Sequence, residues 1–470
     1  MKKRILSLLL VLLMAVSMLA ACGGNSNKTA SFEVPEGGYD GSEVTITFYH
    51  TMGATLREKL DAAIVEFNKL YPNIKIEHQQ VGSYDDVRNK ISKEITAGNQ
   101  PNIAYCYPDH VAMYNISKAV VQLDNLIGSK IEVTRADGTK EVLGLTDAQI
   151  NDFIPAYYNE GKSFGDGLMY TLPLSKSTEV LYYNKTFFTE HDLKVPTTWD
   201  EMEETCKKLL EIDPDCIPFG YDSESNWFIT MCEQLGTDYT SANGEHYLFN
   251  NDDNKSFVKR FRDWYQKGYF TTETLYGGYT SSLFTGEDDF QSYMCIGSSA
   301  GASYQCPKVN ADGTYPFEVG VAPIPQANPN SPKVISQGPN LCIFQKENPQ
   351  EVIASWLFVK YLTTDVVFQG DFSEASGYIP VIKSVQEDEY YKTQVLDKAD
   401  GNAYLTASCV KLGLEQAQSY YTSPAFKGSS TARQEVGTLM SDAFAKETTD
   451  VDKMINELFE NAIKKCKYYD

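Results

Sequence analysis

The stretch from Val44 to Tyr107 alternates between two hydrophobic periodicities, and this alternation restricts the fold more than any other feature of the chain. The β-branched and aromatic residues typical of strands occur in three segments, 44–49, 74–76 and 102–107. Between them, apolar residues at helical spacing predict one helix that ends before Pro72 and a second helix over 84–97. Strands and helices in this order are typical of a parallel sheet flanked by helices, so the sequence predicts an α/β fold.

The loops after the first and third strands are candidate ligand-binding loops. Ligands of parallel sheets bind beyond the carboxyl ends of the strands. This rule selects His50 in one loop and Asp109 and His110 in the other. No His or Cys residues have the spacing of a metal site, so we expect neither a metal nor a cofactor.

The first 22 residues predict export from the cytoplasm. Three basic residues precede an apolar run at 5–19, which ends in Leu19-Ala20-Ala21-Cys22. This order predicts a signal peptide over residues 1–21, whose apolar run is too short to span a bilayer comfortably. The last four residues resemble the bacterial lipobox, which implies a lipid on Cys22; an ordinary signal with a cysteine nearby is the alternative. We expect residues 22–43 to form the lipid anchor and a flexible tether, since they are rich in Gly, Ser, Asn and Pro.

Composition narrows the class of partner. The chain has 470 residues, enough for two or three domains, and 42% of them are hydrophobic, which argues against extended disorder. Its formal net charge of -22 becomes about -25 once the three basic residues of the signal are removed. An acidic surface repels nucleic acid and anionic lipid, so we expect a monomer without a nucleic-acid partner that touches the membrane only through its lipid.

The ten cysteines contain no Cys-x-x-Cys pair. Cys206 and Cys216 are close enough in sequence to bridge a short loop, so a disulfide there stays open. The alternative interpretation is that most cysteines are small buried hydrophobic residues.

A series of short motifs extends beyond Val44 to the C-terminus. Their order along the chain is Phe67-Asn68, Gly98-Asn99-Gln100-Pro101, Leu181-Tyr182-Tyr183-Asn184-Lys185, Thr198-Trp199-Asp200-Glu201, Phe284-Thr285-Gly286, Pro323-Ile324-Pro325 and Gly377-Tyr378-Ile379-Pro380-Val381. In these motifs the chain resembles the extracellular solute-binding proteins of bacterial ATP-driven importers, in the carbohydrate class that includes maltodextrin and glycerol-3-phosphate binders. Gly82-Ser83-Tyr84 and Ser117-Lys118-Ala119-Val120 resemble the glycerol-3-phosphate-binding branch most.

The resemblance implies an α/β periplasmic-binding-protein-like fold of type II. Two lobes are joined by three hinge crossings, and each lobe is expected to hold a mainly parallel sheet flanked by helices. By this resemblance, residues 44–165 and 300–345 form the N-terminal lobe, and residues 166–299 and 346–470 form the C-terminal lobe. The ligand is expected in the cleft between the lobes.

The resemblance also implies the lipid-anchored substrate-binding component of an ABC importer. Such a protein captures a sugar, an oligosaccharide, or a sugar or glycerol phosphate, closes on it, and docks on the transmembrane subunits of a permease. It works at the extracellular face of the cytoplasmic membrane and has no catalytic residue. Two alternatives stay open: a lipid-anchored glycan-processing enzyme, and a sugar sensor or adhesin without a role in transport.

The glycerol-3-phosphate-binding branch has ligand-binding residues at positions that match this chain. The matching positions are Tyr84, Ser177, Trp227, Ser299, Gly338, Tyr378 and Arg433. Hydroxyl and amide groups suit the oxygens of a polyol, and an indole face suits its C–H face. For Tyr84 and Tyr378, a partly buried structural tyrosine is an equal alternative.

Two positions depart from that branch. Pro108 replaces a glutamate after the third strand, and the neighbouring Asp109 is the expected substitute for ligand binding. That branch also has a platform of two aromatic residues. One of them matches Trp227, and the other is replaced near Glu224 in this chain. An acidic group in place of an aromatic wall favours a more polar or larger glycan.

Arg433 has an argument of its own. It follows Ser429-Ser430-Thr431, which matches a helix N-cap, so Arg433 is predicted in a first helical turn. A cation there opposes the helix dipole, which favours a bound phosphate or carboxylate. A salt bridge to a surface acid is the alternative.

An enzyme of this class would use paired carboxylates. Three adjacent pairs occur, Asp85-Asp86, Asp252-Asp253 and Asp288-Asp289. Each lies in a polar stretch and so favours a solvated face or turn. Gly-x-Ser-x-Gly and Walker motifs are absent, and we expect no enzymatic activity.

Overall fold

Two five-stranded sheets, each covered by helices, form the cores of two lobes. The computed structural model describes residues 31–286 and 291–469. The predicted signal peptide, the predicted lipid-attachment residue Cys22 and the Asp288-Asp289 pair lie outside the described residues. Within the described ranges, no helix combines the length and apolar character needed to cross a membrane.

The elements are numbered here in chain order. The first part contains β1 (Val44–His50), α1 (Ala54–Leu70), β2 (Ile74–Gln80), α2 (Tyr84–Ala97), β3 (Ile103–Cys106), α3 (Pro108–Tyr114), α4 (Asp124–Gly128), β4 (Glu132–Thr134), β5 (Lys140–Val142), α5 (Asp147–Asp152), α6 (Pro155–Glu160), β6 (Leu172–Pro173), β7 (Glu179–Asn184) and α7 (Lys185–Glu190). The middle part contains α8 (Trp199–Ile212), β8 (Phe219–Tyr221), α9 (Glu224–Leu235), α10 (Asp252–Gln266), β9 (Phe270–Thr272), α11 (Glu273–Tyr276), α12 (Ser281–Thr285), β10 (Met294–Ser298), β11 (Val319–Ala322), β12 (Val334–Ile335) and β13 (Asn340–Ile343). The last part contains α13 (Pro349–Thr364), α14 (Val366–Ser376), α15 (Ser384–Glu387), α16 (Glu389–Gln394), α17 (Leu405–Glu415), β14 (Tyr420–Tyr421), α18 (Ser429–Ala445) and α19 (Val451–Tyr469).

Both sheets are mixed. The first has the order β2-β1-β3-β13-β6, with β1 parallel to β2 and β3, and β13 antiparallel to β3 and β6. The second has the order β11-β7-β10-β8-β9, with β8 parallel to β10 and β9, and β7 antiparallel to β10 and β11. The two-lobed α/β class is therefore confirmed, but only half of the pairings are parallel. β7 and β13 are both antiparallel to their neighbours. The chain reaches each of them directly from a crossing between the lobes, without the helical crossover that connects parallel strands.

Local signals account for the helices that begin the first lobe. α2 covers the predicted range 84–97 because Ser83 and Asp86 form a capping box at its start and Gly98, with a φ of 75°, ends it. α1 buries Leu60, Ala63 and Phe67 on one face, as its apolar spacing predicts. Because β1 and β3 pair in parallel, their carboxyl ends lie at one edge of the sheet.

Three chain segments cross between the lobes, as the fold class predicts. The first joins β6 to β7, the second joins β11 to β13, and the third runs from α14 to α17. The crossings are bonded to one another: Ser177 and Gln337 exchange two backbone hydrogen bonds of 2.9 and 2.8 Å, and Lys176 N donates to Ile379 O at 3.0 Å. The hinge is therefore one hydrogen-bonded unit beside the cleft.

The observed lobes differ from the predicted boundaries at three places. β11, in the range predicted for the first lobe, pairs with β7 of the second sheet. β6, in the range predicted for the second lobe, pairs with β13 of the first sheet, and α13 and α14 contact β1 and α1 there. The chain changes lobe at the hydrogen-bonded crossings of the hinge, because the strand or helices that follow each crossing pack on the lobe that the chain has just entered.

The second half of the predicted tether lies against the first lobe. Asn125 Nδ2 donates to Phe32 O at 3.0 Å, and Gln350 Nε2 donates to Gly38 O at 3.1 Å. The backbone N–H of Asp40 donates to Gln350 Oε1 at 3.1 Å. Residues 31–43 are therefore packed against α4 and α13, where a flexible tether was expected.

Candidate ligand-binding cleft

A cavity of about 600 Å³ lies between the lobes. The first lobe contributes Tyr107 and Asp109, the second lobe contributes Asp222, Asn226 and Arg433, and the hinge contributes Ser336 and Gln337. A molecule in this cavity would contact both lobes and the hinge at once. A site of this size and position suits a small ligand.

Arg433 is one end of a hydrogen-bonded chain that leads into the second lobe. Its Nη2 donates to Asn226 Oδ1, and Asn226 Nδ2 donates to Glu179 Oε1 at 2.8 Å. The hydroxyl of Tyr221 donates to the other Glu179 oxygen at 2.6 Å. Burial raises the pKa of Glu179 to about 7, although its two hydrogen bonds and the charge of Arg433 oppose the shift. The chain orients the guanidinium at the cavity wall.

The position of Arg433 in its helix differs from the prediction. α18 begins at Ser429 after Gly428, which has a φ of 94°, so Arg433 lies in the second turn of the helix. The Ser429 hydroxyl donates to Phe426 O at 2.7 Å instead of capping the helix. The predicted conflict between Arg433 and a helix N-terminus is therefore wrong, although the side chain does line the cavity.

Carboxyl groups outnumber this cation at the described cavity wall. Asp85, Asp109, Glu160, Asp222 and Glu273 all line the cavity. Burial raises the pKa of Asp222, and its hydrogen bonds from Thr280 N and Oγ1, at 2.8 and 2.7 Å, oppose the shift. Burial also raises the pKa of Glu273, with Asp222 as a further cause. The described wall is thus acidic and rich in hydrogen-bond acceptors.

A group of tyrosines forms the wall of the first lobe. The ring of Tyr84 lies 4.5 Å from that of Tyr107 and 6.3 Å from that of Tyr105, between centroids. Burial raises the pKa values of both Tyr84 and Tyr378, and the neighbouring Tyr378 is a further cause at Tyr84. Tyr107 lines the cavity, while Tyr84 and Tyr378 lie outside its described lining. The alternative that Tyr84 and Tyr378 are structural residues therefore has support, since both lie behind Tyr107, which is the residue at the cavity surface.

Two predicted residues, Ser177 and Gly338, belong to the hinge, and a third, Ser299, contacts it. Ser177 pairs with Gln337 through the backbone, and Ser299 Oγ accepts a hydrogen bond of 3.2 Å from Thr178 N. Gly338 has a φ of 96°, and a Cβ there would lie 2.6 Å from the Ser175 carbonyl oxygen. These three residues lie outside the described lining of the cavity. They fix the crossings that carry Ser336 and Gln337.

The structure contradicts the prediction of an aromatic platform at Trp227. The side chain is fully buried, and its ring lies 4.3 Å from Phe261, 4.7 Å from Tyr221 and 4.9 Å from Phe270. The reason is helical phase: Ser225 and Asn226 of α9 face the cavity, and Trp227 faces the aromatic core. Glu224, predicted to replace an aromatic wall, is buried as well and accepts hydrogen bonds from Thr272, Thr274 and Ser441.

The two histidines of the candidate loops also lie outside the described lining. His50 Nδ1 accepts from Met52 N at 3.1 Å, and its Nε2 lies 2.9 Å from His78 Nδ1, so the ring is held by the fold. Burial lowers the pKa of His50 to about 3. His110 is buried behind Tyr107 with ring centroids 5.5 Å apart, and burial lowers its pKa too. Among the described residues, no group of three His, Cys, Asp or Glu side chains is arranged to hold a metal ion.

Sequence reasoning missed Asp222, Asn226 and Glu273. Asp222 directly follows β8 and Glu273 directly follows β9, so the rule that selected Asp109 after β3 applies to both. Both strands are three residues long, which is too short for a periodic signal. Asn226 is adjacent to Trp227, so the sequence points to the correct segment but to the wrong side chain.

The cysteines agree with the interpretation as small buried residues. All those described are buried except Cys306, which is half-buried. Cys206 and Cys216 are free thiols, so the disulfide considered between them is not formed.

Comparison with known proteins gives consistent matches. A model of the family described as bacterial extracellular solute-binding protein matches residues 62–398. The sn-glycerol-3-phosphate-binding periplasmic protein UgpB of Salmonella typhimurium (strain LT2) is 23% identical over 358 residues, 73% of this chain and 75% of the relative. UgpB from Mycobacterium tuberculosis in complex with glycerophosphocholine superposes with a TM-score of 0.71 at 17% identity, covering 91% of this chain and 98% of that chain. The cyclic alpha-maltosyl-1,6-maltose binding protein from Arthrobacter globiformis gives 0.68 at 20% identity, covering 90% and 99%.

Proposed function

The chain belongs to the bacterial extracellular solute-binding proteins, and on this premise we propose that it captures a polyhydroxylated solute and delivers it to the permease of an ABC importer. The observation that carries the proposal is the cavity whose wall is built from both lobes and the hinge. A ligand that touches both lobes binds the closed arrangement more tightly than an open one, so it shifts the hinge equilibrium toward closure. The closed form then docks on the permease.

The wall suits a ligand with many hydroxyl groups. Asp109 and Asp222 offer carboxyl oxygens from opposite lobes, and Asn226 and Gln337 add amide groups. Ser336 is buried, and its hydroxyl has no hydrogen-bond partner among the described residues, so a ligand oxygen would satisfy it. Arg433 supplies one positive charge for a phosphate or carboxylate. The proposed ligand is a sugar, an oligosaccharide, or a sugar or glycerol phosphate, in line with the ligands in the names of the similar proteins.

We further propose that the chain is a lipid-anchored monomer at the extracellular face of the cytoplasmic membrane. The lipobox-like end of the signal at Cys22 supports the anchor. Two or more acyl chains suffice for stable anchoring, because each buried methylene contributes about 0.8 kcal/mol. The family supports a binding role without catalysis.

Thermal unfolding of residues 23–470 tests the proposal. The panel consists of sn-glycerol 3-phosphate, glycerophosphodiesters, monosaccharides and neutral oligosaccharides. A true ligand at 100 times its dissociation constant adds about 2.7 kcal/mol to the free energy of unfolding, which raises Tm by a few degrees. Chromatography of the ligand afterwards should return it unchanged and in stoichiometric amount. Product formation would support the glycan-processing alternative.

Arg433→Ala separates the ligand classes. A Tm shift with a phosphate ester that Arg433→Ala abolishes would identify an anionic ligand. A shift with neutral glycans that the variant retains would identify a neutral one. Arg57→Ala is the matched control, because Arg57 lies on α1 outside the described lining. Absence of a shift with every compound would contradict the proposed function.

A further inference from the structure

A second chamber of about 550 Å³ opens from the ligand cavity. The two share five lining residues, Asp222, Ser223, Asn226, Tyr279 and Gln337, so they form one continuous cleft. Glycerol phosphate or a single sugar ring would fill only one of the two chambers. The extent of the cleft therefore bears on the length of the ligand.

Two tyrosines flank the second chamber. Tyr279 follows α11 and is 67% exposed, and Tyr304 lies in the 3₁₀ segment Ser299–Gln305 and is 75% exposed. Both side chains line the same chamber. The charge of Glu273 is the main cause that raises the pKa of Tyr279, followed by burial, Asp222 and Tyr304. Most other aromatic residues of this lobe are packed in its core. Exposed rings beside a cavity offer apolar faces on which the C–H face of a sugar ring stacks.

The chamber also holds an unsatisfied polar group. Gln305 is only 3% exposed and lines the chamber. Its Nε2 donates to Cys295 Sγ at 3.3 Å, but its Oε1 has no hydrogen-bond partner among the described residues. A buried carbonyl oxygen without a partner is unfavourable, and a hydroxyl donor on a ligand would satisfy it.

The space is kept open by residues without long side chains. Ala300 and Gly301 line the chamber, and a Cβ added to Gly301 would have no atom within 4 Å. Gly301 also lacks a positive φ, so its backbone accepts other residues. A larger side chain at position 301 would therefore occupy the chamber without distorting the fold.

Charge selects against an anion in this chamber. Its described lining contains the carboxyl groups of Glu179 and Asp222 and no lysine or arginine. Arg433, the cation of the first cavity, is absent from that lining. A phosphate would be repelled here, whereas hydroxyl groups would donate to the carboxyl oxygens.

We propose that the cleft binds a glycan of at least two sugar units, with a neutral ring in the second chamber between Tyr279 and Tyr304 and a hydroxyl group bonded to Gln305 Oε1. This inference rests on the proposed function and narrows its ligand class to oligosaccharides. The first cavity holds the remaining part of the glycan beside Asn226 and Arg433.

Isothermal titration with gluco-, galacto-, manno- and xylo-oligosaccharides of one to four units tests the inference. We expect at least a tenfold gain in affinity from one unit to two in the matching series. Tyr304→Ala and Gly301→Leu should lower disaccharide affinity about three- to tenfold. Tyr304→Phe should retain wild-type affinity because it keeps the ring. Tyr390→Ala, which removes another exposed tyrosine, is the matched control.

The outcomes separate the inference from the proposed function. Binding of a monosaccharide or of sn-glycerol 3-phosphate without a gain on chain extension would overturn the inference and leave the proposed function standing. Disaccharide affinity that stays at the wild-type value in Tyr304→Ala and Gly301→Leu would also overturn it. Failure of every compound to bind would count against both. Tm values of the unliganded variants within about 2 °C of wild type establish that they are folded.

Discussion

At the scale of single residues, Glu179 connects the cleft to the interior of the second lobe. Its two oxygens accept hydrogen bonds from Asn226 and Tyr221, and Asn226 accepts in turn from Arg433. Burial raises the pKa of Glu179 to about 7, so this carboxyl group changes charge near neutral pH. The neutral form removes the anion that faces Asn226 and Arg433. The cleft therefore contains a titrating group that does not itself reach the first cavity.

Glu179→Gln should change how stability depends on pH. Between 4.5, the ordinary pKa, and about 7, the folded chain keeps a proton on Glu179 that the unfolded chain releases. The stabilisation from this proton is complete below pH 4.5 and is lost as pH rises through about 7. Glutamine does not ionise, so the variant does not undergo this pH-dependent loss of stability. Its free energy of unfolding should therefore rise relative to that of the wild type as pH increases across this window, by up to about 3 kcal/mol.

Urea denaturation at half-unit intervals from pH 4.5 to 8 measures that difference. The lost hydrogen bond adds an offset that does not vary with pH, so only the slope is diagnostic. Glu190→Gln, an exposed change in α7, is the control. A constant difference over the whole range would contradict the prediction.

Single residues also show where sequence reasoning succeeds and fails. Asp109 lines the cavity because it follows β3, and β3 has a clear apolar pattern. Asp222 follows β8, which is too short to be recognised before the sheet is known. Trp227 directly follows the polar residues Ser225 and Asn226, and only the packing of α9 against the aromatic residues of its lobe decides that it is buried.

At the scale of elements, the hinge contains a buried ion pair. Lys176 Nζ contacts Glu160 Oε2 and donates to Gly338 O at 3.3 Å, while Asn340 Nδ2 donates to Glu160 Oε2 at 2.9 Å. The lysine side chain is fully buried and that of Glu160 is 6% exposed. The pair therefore joins α6 to two crossings, and Glu160 also lines the ligand cavity.

Lys176→Met should be strongly destabilising because it leaves Glu160 buried without its cation. Removing one partner of a buried pair typically costs about 3–5 kcal/mol. The double variant with Glu160→Gln should recover part of this loss, since no unpaired charge remains. Chemical denaturation of the wild type, both single variants and the double variant gives the coupling energy.

Lys185→Met provides the matched control for the hinge lysine. Lys185 pairs with Glu318 at 2.5 Å, but the two side chains are 41% and 43% exposed, so its loss should cost less than about 1 kcal/mol. Similar decreases in the free energy of unfolding for Lys176→Met and Lys185→Met would show that the buried pair stabilises the protein no more than an exposed pair does.

Elements were predictable where their signals are local. The capping boxes of α2 and α8 identify both helix starts from sequence alone. Val334 to Phe344, by contrast, reads as one continuous strand. In the structure it divides into β12, which pairs with β14, and β13, which joins the first sheet, because the chain crosses between lobes at Gln337 and Gly338. Sheet membership depends on partners distant in sequence, which local patterns do not encode.

At the scale of the whole molecule, the two lobes touch each other across the cleft. Arg88 of α2 donates from Nη1 to Ser430 Oγ of α18 at 3.1 Å, and Asp85 lies 3.0 Å from the same guanidinium nitrogen. Arg88 therefore bridges the lobes close to Arg433, on the same helix as Ser430. This contact exists only while the lobes are together.

Arg88→Ala should weaken ligand binding, although Arg88 lies outside the described lining of the cavity. Loss of the bridge removes about 0.5–1.5 kcal/mol from the closed form, which raises the dissociation constant roughly two- to tenfold. Titration calorimetry measures the affinity, and small-angle scattering of the unliganded protein should show a larger radius of gyration. Unchanged affinity and radius would mean that the bridge does not influence closure; Arg57→Ala again serves as the control.

The segment before β1 has a consequence for how the molecule moves. Residues 31–43 are bonded to Asn125 and Gln350 of the first lobe and make no such bonds to the second lobe among the described contacts. Whatever precedes residue 31 is therefore tied to one half of the molecule. If that attachment is a membrane anchor, the first lobe is the half of the molecule that is tethered to the bilayer, and the second lobe moves relative to it during each cycle of capture and release.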